Sequence, residues 1–124
     1  MITGFFAALF TLFYIKLSFD IIGLRHKNQV SLGDGGHPEL ERAIRAHGNF
    51  MEYTPLLLIL LFALEFQGGQ AIWLYVTGGT YLVSRVLHSI ALNKVKLKMR
   101  VISMALSFLS LLALSIINLY CYFV

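Results

Sequence analysis

Charge is scarce in this chain. Asp, Glu, Lys and Arg make up 13% of its 124 residues, about half the share of an ordinary soluble domain. Hydrophobic residues make up 58%, and the mean hydropathy is +0.76. These values argue against a soluble globular protein. They lead us to expect one integral membrane domain over residues 1–124 with no soluble appendage. Cysteine is nearly absent: Cys121 is alone, so no intrachain disulfide can form. It lies in the last apolar segment, where a packing role is expected. The four histidines, His26, His37, His47 and His88, fall in different segments without a cysteine cluster, which argues against a metal site. The Gly33-Asp34-Gly35-Gly36 run is not followed by Gly-Lys-Ser/Thr, so it reads as a turn and not a phosphate loop. No nucleophile elbow marks a serine hydrolase. The N-terminus has neither a basic leader nor a small-residue cleavage site, so its apolar stretch is expected to be a retained helix and not a signal peptide.

What is present is four long apolar segments. They are expected as helices over about Ile2 to Leu24, Pro38 to Phe66, Ala71 to Leu92 and Met99 to Phe123. Each is long enough to span a bilayer. Lys16 and Asp20 are spaced i, i+4 in the first and are expected to pair. Gly4 and Ala8 there, and Gly78-Gly79 in the third, suit close helix contact. Arg25 to His37 is expected as a polar connection. Pro38, Glu39 and Glu41 then have the character of a helix first turn, proline early and acids against the dipole. Pro55 is expected to bend the second helix near the Met51 carbonyl and to open space beside it. Ser103, Ser107 and Ser110 make a small polar stripe on the fourth helix, read as helix packing.

The charges predict a topology. Arg25, Lys27, Arg42, Arg45, Lys94, Lys96, Lys98 and Arg100 all follow the first or third segment, whereas the Gln67–Gln70 turn and both termini carry no Lys or Arg. The positive-inside rule puts both basic connections, about 25–37 and 93–99, in the cytoplasm and both termini outside. Phe5, Phe6, Phe66, Trp73, Tyr120 and Tyr122 gather at the uncharged end, as an interfacial aromatic belt would. The net charge of +4 is thereby explained without nucleic acid, with anionic lipid as a partner for the basic end.

Chemistry is concentrated in Glu41 to Pro55, ERAIRAHGNFMEYTP. At 100° per residue, Arg45, Asn49 and Glu52 fall on one stripe. Charged groups at membrane depth are costly unless they face a bundle interior and find partners. Arg85 and His88 share a face of the third helix, and Arg100 opens the fourth. All six lie toward the basic end and are expected to converge. Arginines ask for carboxylate, phosphate or thiolate, and the glutamate asks for a cation such as an α-amino group. A small zwitterion with excess negative charge fits, and a peptide such as glutathione is one example. An arginine beside its thiol would favour the thiolate over a free thiol of pKa about 8.5. The alternative is structural: Glu52 neutralises Arg45 or Arg85 so that the helices can insert.

The pattern Glu41-Arg42-x-x-Arg45-Ala46-x-x-Asn49-x-x-Glu52-Tyr53-x-Pro55 resembles the signature of the MAPEG superfamily, the membrane-associated proteins of eicosanoid and glutathione metabolism. The Gly33-Asp34-Gly35-Gly36 and Ala43-Ile44-Arg45-x-His47-Gly48-Asn49 runs are most similar to its small bacterial inner-membrane branch. The resemblance covers essentially the whole chain. It implies an all-α four-helix protomer, a homotrimer, and glutathione bound as co-substrate between subunits near the cytoplasmic side. By the same resemblance, Arg45, Asn49, Glu52 and Tyr53 bind glutathione, Arg85 and His88 match an Arg-x-x-His on the third helix, and Arg100 stabilises the thiolate. Arg25 is the nearest substitute for a first-helix arginine whose own position is near Gly23. The chain departs from the pattern at Leu92, where other members carry tyrosine, and at Val101, where one branch carries serine. The implied activity is a microsomal-type glutathione transferase or peroxidase acting on hydrophobic electrophiles or lipid hydroperoxides, with no metal. Two other readings stay open: a small multidrug-type exporter, which would need a lone carboxylate deep in the first helix, and a non-catalytic membrane scaffold.

Overall fold

The computed structural model describes residues 1–124. Four helices follow in order: α1 (Ile2–Asn28), α2 (Pro38–Phe66), α3 (Ala71–Asn93) and α4 (Leu97–Phe123). At 1.5 Å per residue the longest spans roughly 43 Å and the shortest roughly 34 Å, against a hydrocarbon core of about 30 Å. Helices α1, α2 and α4 are long and apolar enough to cross a membrane. Helix α3 turns its polar groups into the bundle, burying Thr77, Ser84, Arg85, His88 and Ser89. α2 and α3 each touch all three other helices, whereas α1 and α4 do not meet. The two inner helices therefore separate the two flanking ones. The outer surface carries Leu12, Phe19, Leu56, Ile59, Val83, Leu109, Leu112, Ile116 and Leu119, all exposed, a skin suited to lipid and not to water.

The termini follow from local chemistry. α1 runs four residues beyond Leu24, into the stretch expected as a connection. Arg25, His26 and Lys27 occupy its last turn, where cations favour the dipole's negative end. Gln29 then adopts a left-handed conformation, φ 54°, and the Val30 N–H donates to the Arg25 carbonyl at 3.1 Å, a Schellman-type closure. The same six-residue return ends α2 at Gly68–Gly69 and α3 at Val95–Lys96. α2 begins with Pro38 in its first turn and Glu39 and Glu41 behind it. It continues through Pro55 without interruption, and a cavity of about 230 Å³ lies against this proline, bounded by Phe10, Tyr14 and Phe50. At the opposite end, the Glu65 carboxylate of α2 accepts the Ile2 and Thr3 N–H groups at 2.6 and 2.9 Å, capping α1 from another helix.

The core joins Phe6, Phe10 and Leu17 of α1 to Phe50, Leu57, Leu61 and Leu64 of α2, Leu74 and Tyr81 of α3 and Leu114 of α4. Phe10 meets the edge of Tyr81 at 5.5 Å and of Phe50 at 6.3 Å. Phe6 sits over Gly78, whose missing Cβ would lie 2.7 Å from the ring. Two expectations are corrected here. Phe6 is 3% exposed and belongs to this core, while Phe5, Phe66, Trp73, Tyr120 and Tyr122 are exposed at the belt end. Gly4 and Ala8 are exposed on α1, because α1 approaches its neighbours through large aromatic side chains and α3 supplies the small residue that receives them. Lys16 and Asp20 pair at 2.7 Å. Ser103, Ser107 and Ser110 are all buried, with Ser107 meeting Ser84 of α3 at 2.8 Å.

Candidate functional site

The polar centre of the bundle is built by three helices around one guanidinium. Arg85, from the middle of α3, is 2% exposed. One terminal nitrogen donates to the Asn49 side-chain oxygen of α2. The other donates to the Ser107 hydroxyl of α4 and lies 3.5 Å from the Met104 sulfur. Its carbon stands 5.3 Å from the centroid of the Tyr81 ring, within reach of a cation–π attraction. The Tyr81 hydroxyl is in turn held by Thr54 of α2 at 2.9 Å. Nε of Arg85 has no hydrogen-bond partner within the chain. Asn49 and Ser107 are neutral, so the charge of Arg85 is hydrogen-bonded but not neutralised.

Around this centre the other predicted residues divide into two groups. His88, one turn along α3, is also buried. Tyr53 is half-buried and presents its ring edge-on to Phe108 of α4 at 5.6 Å. Arg45 and Glu52, by contrast, are exposed on the outer face of α2, although Asn49 between them faces inward. Arg100 is exposed on the first turn of α4, at the head of an apolar groove lined by Val101, Met104, Ala105 and Phe108. The six polar groups therefore do not all meet inside one chain. Asn49, Arg85 and His88 form an inner set, and Arg45, Glu52 and Arg100 an outer one. The reason is the angular width of the stripe: Asn49 falls about 40° from Arg45 and 60° from Glu52 on a helical wheel, enough to cross the boundary between core and surface.

The outer set carries charge without compensation. The chain has two ion pairs, Lys16–Asp20 and Lys27–Glu39. Glu52, at the midpoint of the 29-residue α2, is in an ion pair with neither Arg45 nor Arg85. Arg25 lies apart from this region. It donates to the Gly33 carbonyl at 2.7 Å, tying the α1–α2 connection, and borders an open cleft with His26 and Gln29. Since α1 and α4 do not touch, Arg25 and Arg100 sit on separate flanks of the protomer. Asp20 is not the lone carboxylate an exporter would need, because Lys16 holds it.

Two residues that contact Arg85, Ser107 and Tyr81, were not singled out as site residues from sequence. Ser107 was legible as part of a serine stripe, but nothing in the stripe says which hydroxyl meets an arginine. Tyr81 carried no signal beyond being an aromatic residue one turn before Arg85.

The comparisons agree with this architecture. A model of the MAPEG family matches residues 3–120. Inner membrane protein YecN of Escherichia coli strain K12 is 32% identical over 120 residues, covering 97% of this chain and 92% of that protein. The protein of the same name in Escherichia coli O6:H1 matches to the same extent. A family match over nearly the whole chain, on a four-helix bundle that carries the second-helix motif around a buried arginine, establishes that the chain belongs to the MAPEG family.

Proposed function

We propose that this protein is a glutathione-dependent enzyme of a bacterial inner membrane, working as a homotrimer with its basic connections in the cytoplasm and both termini outside. The inner-membrane assignment draws on the name of the relative at 32% identity. The observation that carries the ligand reading is the unpaired outer set. Glu52 stands exposed at the middle of α2, and Arg45 two turns nearer its start, neither with an ion partner in the chain. In hydrocarbon such groups are costly unless partners meet them. A neighbouring subunit closing over this face, with a zwitterionic tripeptide between, supplies both.

In this reading Glu52 takes the α-ammonium of glutathione, and Arg45 takes a carboxylate. Tyr53 closes one side of the site. Asn49 and Arg85, already bonded to each other, hold the wall of the site and keep a positive potential there, with His88 beside them. Arg100 faces the thiol and stabilises its thiolate. The acceptor enters laterally from the bilayer along the groove of Met104 and Phe108. With an electrophile, the thiolate forms a C–S bond and the leaving group departs with its electron pair. With a lipid hydroperoxide, two glutathiones are oxidised to the disulfide while the peroxide is reduced to alcohol and water. Arg25, on the α1 flank, reaches such a site only from a neighbouring copy.

The test is to compare Arg100→Ala with the wild type for glutathione affinity and for turnover of a generic electrophile. Loss of an anion-stabilising donor of this kind lowers turnover roughly 10²–10³-fold, with affinity changed far less. Equal turnover in the variant overturns the thiolate role.

A further inference from the structure

A second cluster of cations shares only Arg100 with the chemistry above. At the basic end of the bundle, a cleft of about 150 Å³ opens between the end of α3, the turn after it and the starts of α2 and α4. Arg42, Lys96 and Arg100 line it, over an apolar floor that includes Ala91 and Leu92. No carboxylate borders it, and none of the three cations is in an ion pair. Nε of Arg42 is shielded from solvent yet has no hydrogen-bond acceptor within the chain. On its other side Arg42 borders a cavity that holds Asp20 and Glu39, but these carboxylates are taken by Lys16 at 2.7 Å and Lys27 at 3.6 Å. α4 adds to the positive potential. It starts at Leu97, with no acid in its first turn and no side-chain cap, so its first N–H groups and the positive end of its dipole lie at the cleft.

Three like charges and a helix N-terminus repel one another unless an anion joins them. Guanidinium forks and an ammonium group match a phosphate. The surrounding turn selects the kind of phosphate. Val95 and Leu97 are 72% and 73% exposed and alternate with the exposed Lys94, Lys96 and Lys98. Apolar side chains displayed between lysines suit the level at which acyl chains meet headgroups. Val95 is also held left-handed, φ 54°, a conformation rare for a β-branched residue. The turn thus keeps an apolar residue where glycine or asparagine would be easier.

We propose that this cleft binds the phosphate group of an anionic membrane phospholipid. Arg42 and Lys96 hold the phosphate, Arg100 stands on the rim, and Val95 and Leu97 sit among the lipid's proximal methylenes. Arg100 is shared with the site proposed above, whereas Arg42 and Lys96, which hold the phosphate, have no part in that site.

The experiment uses the full chain in detergent, titrated with phosphatidylglycerol and with phosphatidylcholine, with retained lipid counted by native mass spectrometry. Phosphatidylglycerol is expected to bind at one molecule per chain and phosphatidylcholine to bind far more weakly. Each cation near a membrane surface contributes roughly a fivefold attraction, so Arg42→Gln/Lys96→Gln is expected to weaken phosphatidylglycerol binding roughly thirtyfold. Lys94→Gln/Lys98→Gln removes the same charge outside the cleft and should change it far less. If the double cleft variant does not fold, Lys96→Gln alone, at an exposed side chain, is expected to show the roughly fivefold loss. An equal loss in both double variants overturns the site in favour of diffuse attraction. So does unchanged binding in the cleft variants. Inorganic phosphate binding to lipid-free protein as tightly as the lipid assigns the cleft to a free anion and overturns the lipid source.

Discussion

Asn49→Ala, made alone and together with Arg85→Met, tests whether the bundle is held by a hydrogen-bonded guanidinium. Arg85 bonds Asn49 through one terminal nitrogen and Ser107 through the other, and its Nε already lacks a partner. Removing the Asn49 acceptor leaves a second buried donor unmatched on a group that stays charged. A hydrogen bond to a charged group contributes about 1.5–3 kcal/mol, while interhelical bonds inside membranes average about 0.6 and reach about 1.7 kcal/mol. The overlap puts Asn49→Ala at about 1.5–1.7 kcal/mol of destabilisation. Arg85→Met keeps much of the volume and removes the buried charge, so its own cost should be small or reversed. In that background Asn49 has no cation to serve, and Asn49→Ala should cost less than about 1 kcal/mol. The cycle should therefore show a coupling of about 1 kcal/mol. The assay is unfolding in mixed micelles by sodium dodecyl sulfate, followed by the fluorescence of Trp73, the chain's one tryptophan. Costs that add to within about 0.3 kcal/mol would refute the claim that Asn49 acts through Arg85.

Other outcomes follow from single contacts. Gly78→Ala would put a Cβ 2.7–2.8 Å from three atoms of the buried Phe6 ring and should destabilise by about 1–3 kcal/mol. Gly79→Ala meets nothing within 4 Å and should be neutral or gain up to about 1 kcal/mol of helix propensity, so equal melting shifts for the two would contradict the packing described. Glu65→Gln should speed hydrogen exchange at the first amides of α1, beginning with Ile2 and Thr3, and unchanged rates there would show that the cap is not formed. Val95→Gly relieves a left-handed β-branched residue and should stabilise the fold by a net amount on the order of 0.5–1 kcal/mol, read as a higher midpoint of thermal unfolding, whereas a lower midpoint would mean that the valine side chain contributes packing.

The four helices were legible because apolar runs of this length admit few other structures, and α2 was the clearest because Pro38, Glu39 and Glu41 mark its start. The far end of α1 was misjudged for a physical reason. Arg25, His26 and Lys27 look like a loop by polarity, yet at a helix C-terminus they are favoured by the dipole. Polarity also failed to sort aromatic residues at the uncharged end, where Phe6 lies beside Phe5 in sequence but on the core side of α1. At the site, Arg85 and His88 are buried on one face of α3, as their spacing suggested, whereas the stripe of Arg45, Asn49 and Glu52 divides between core and surface. Spacing did not resolve which side of the stripe turns inward, because that depends on how α2 is rotated against α3 and α4. The bonds from Asn49 and Ser107 to Arg85, and from Glu65 to the start of α1, span 22 to 63 residues, and no local pattern encodes a partner at that separation.

Glutathione binding by the purified, detergent-solubilised protein, measured by calorimetry beside Glu52→Ala, tests the central claim most directly. The account predicts binding by the wild type and a loss of at least about thirtyfold in the variant, since a buried charge pair that loses one partner costs about 2 kcal/mol or more. Binding of equal strength in both proteins, or none in either while the oligomer stays intact, would contradict it.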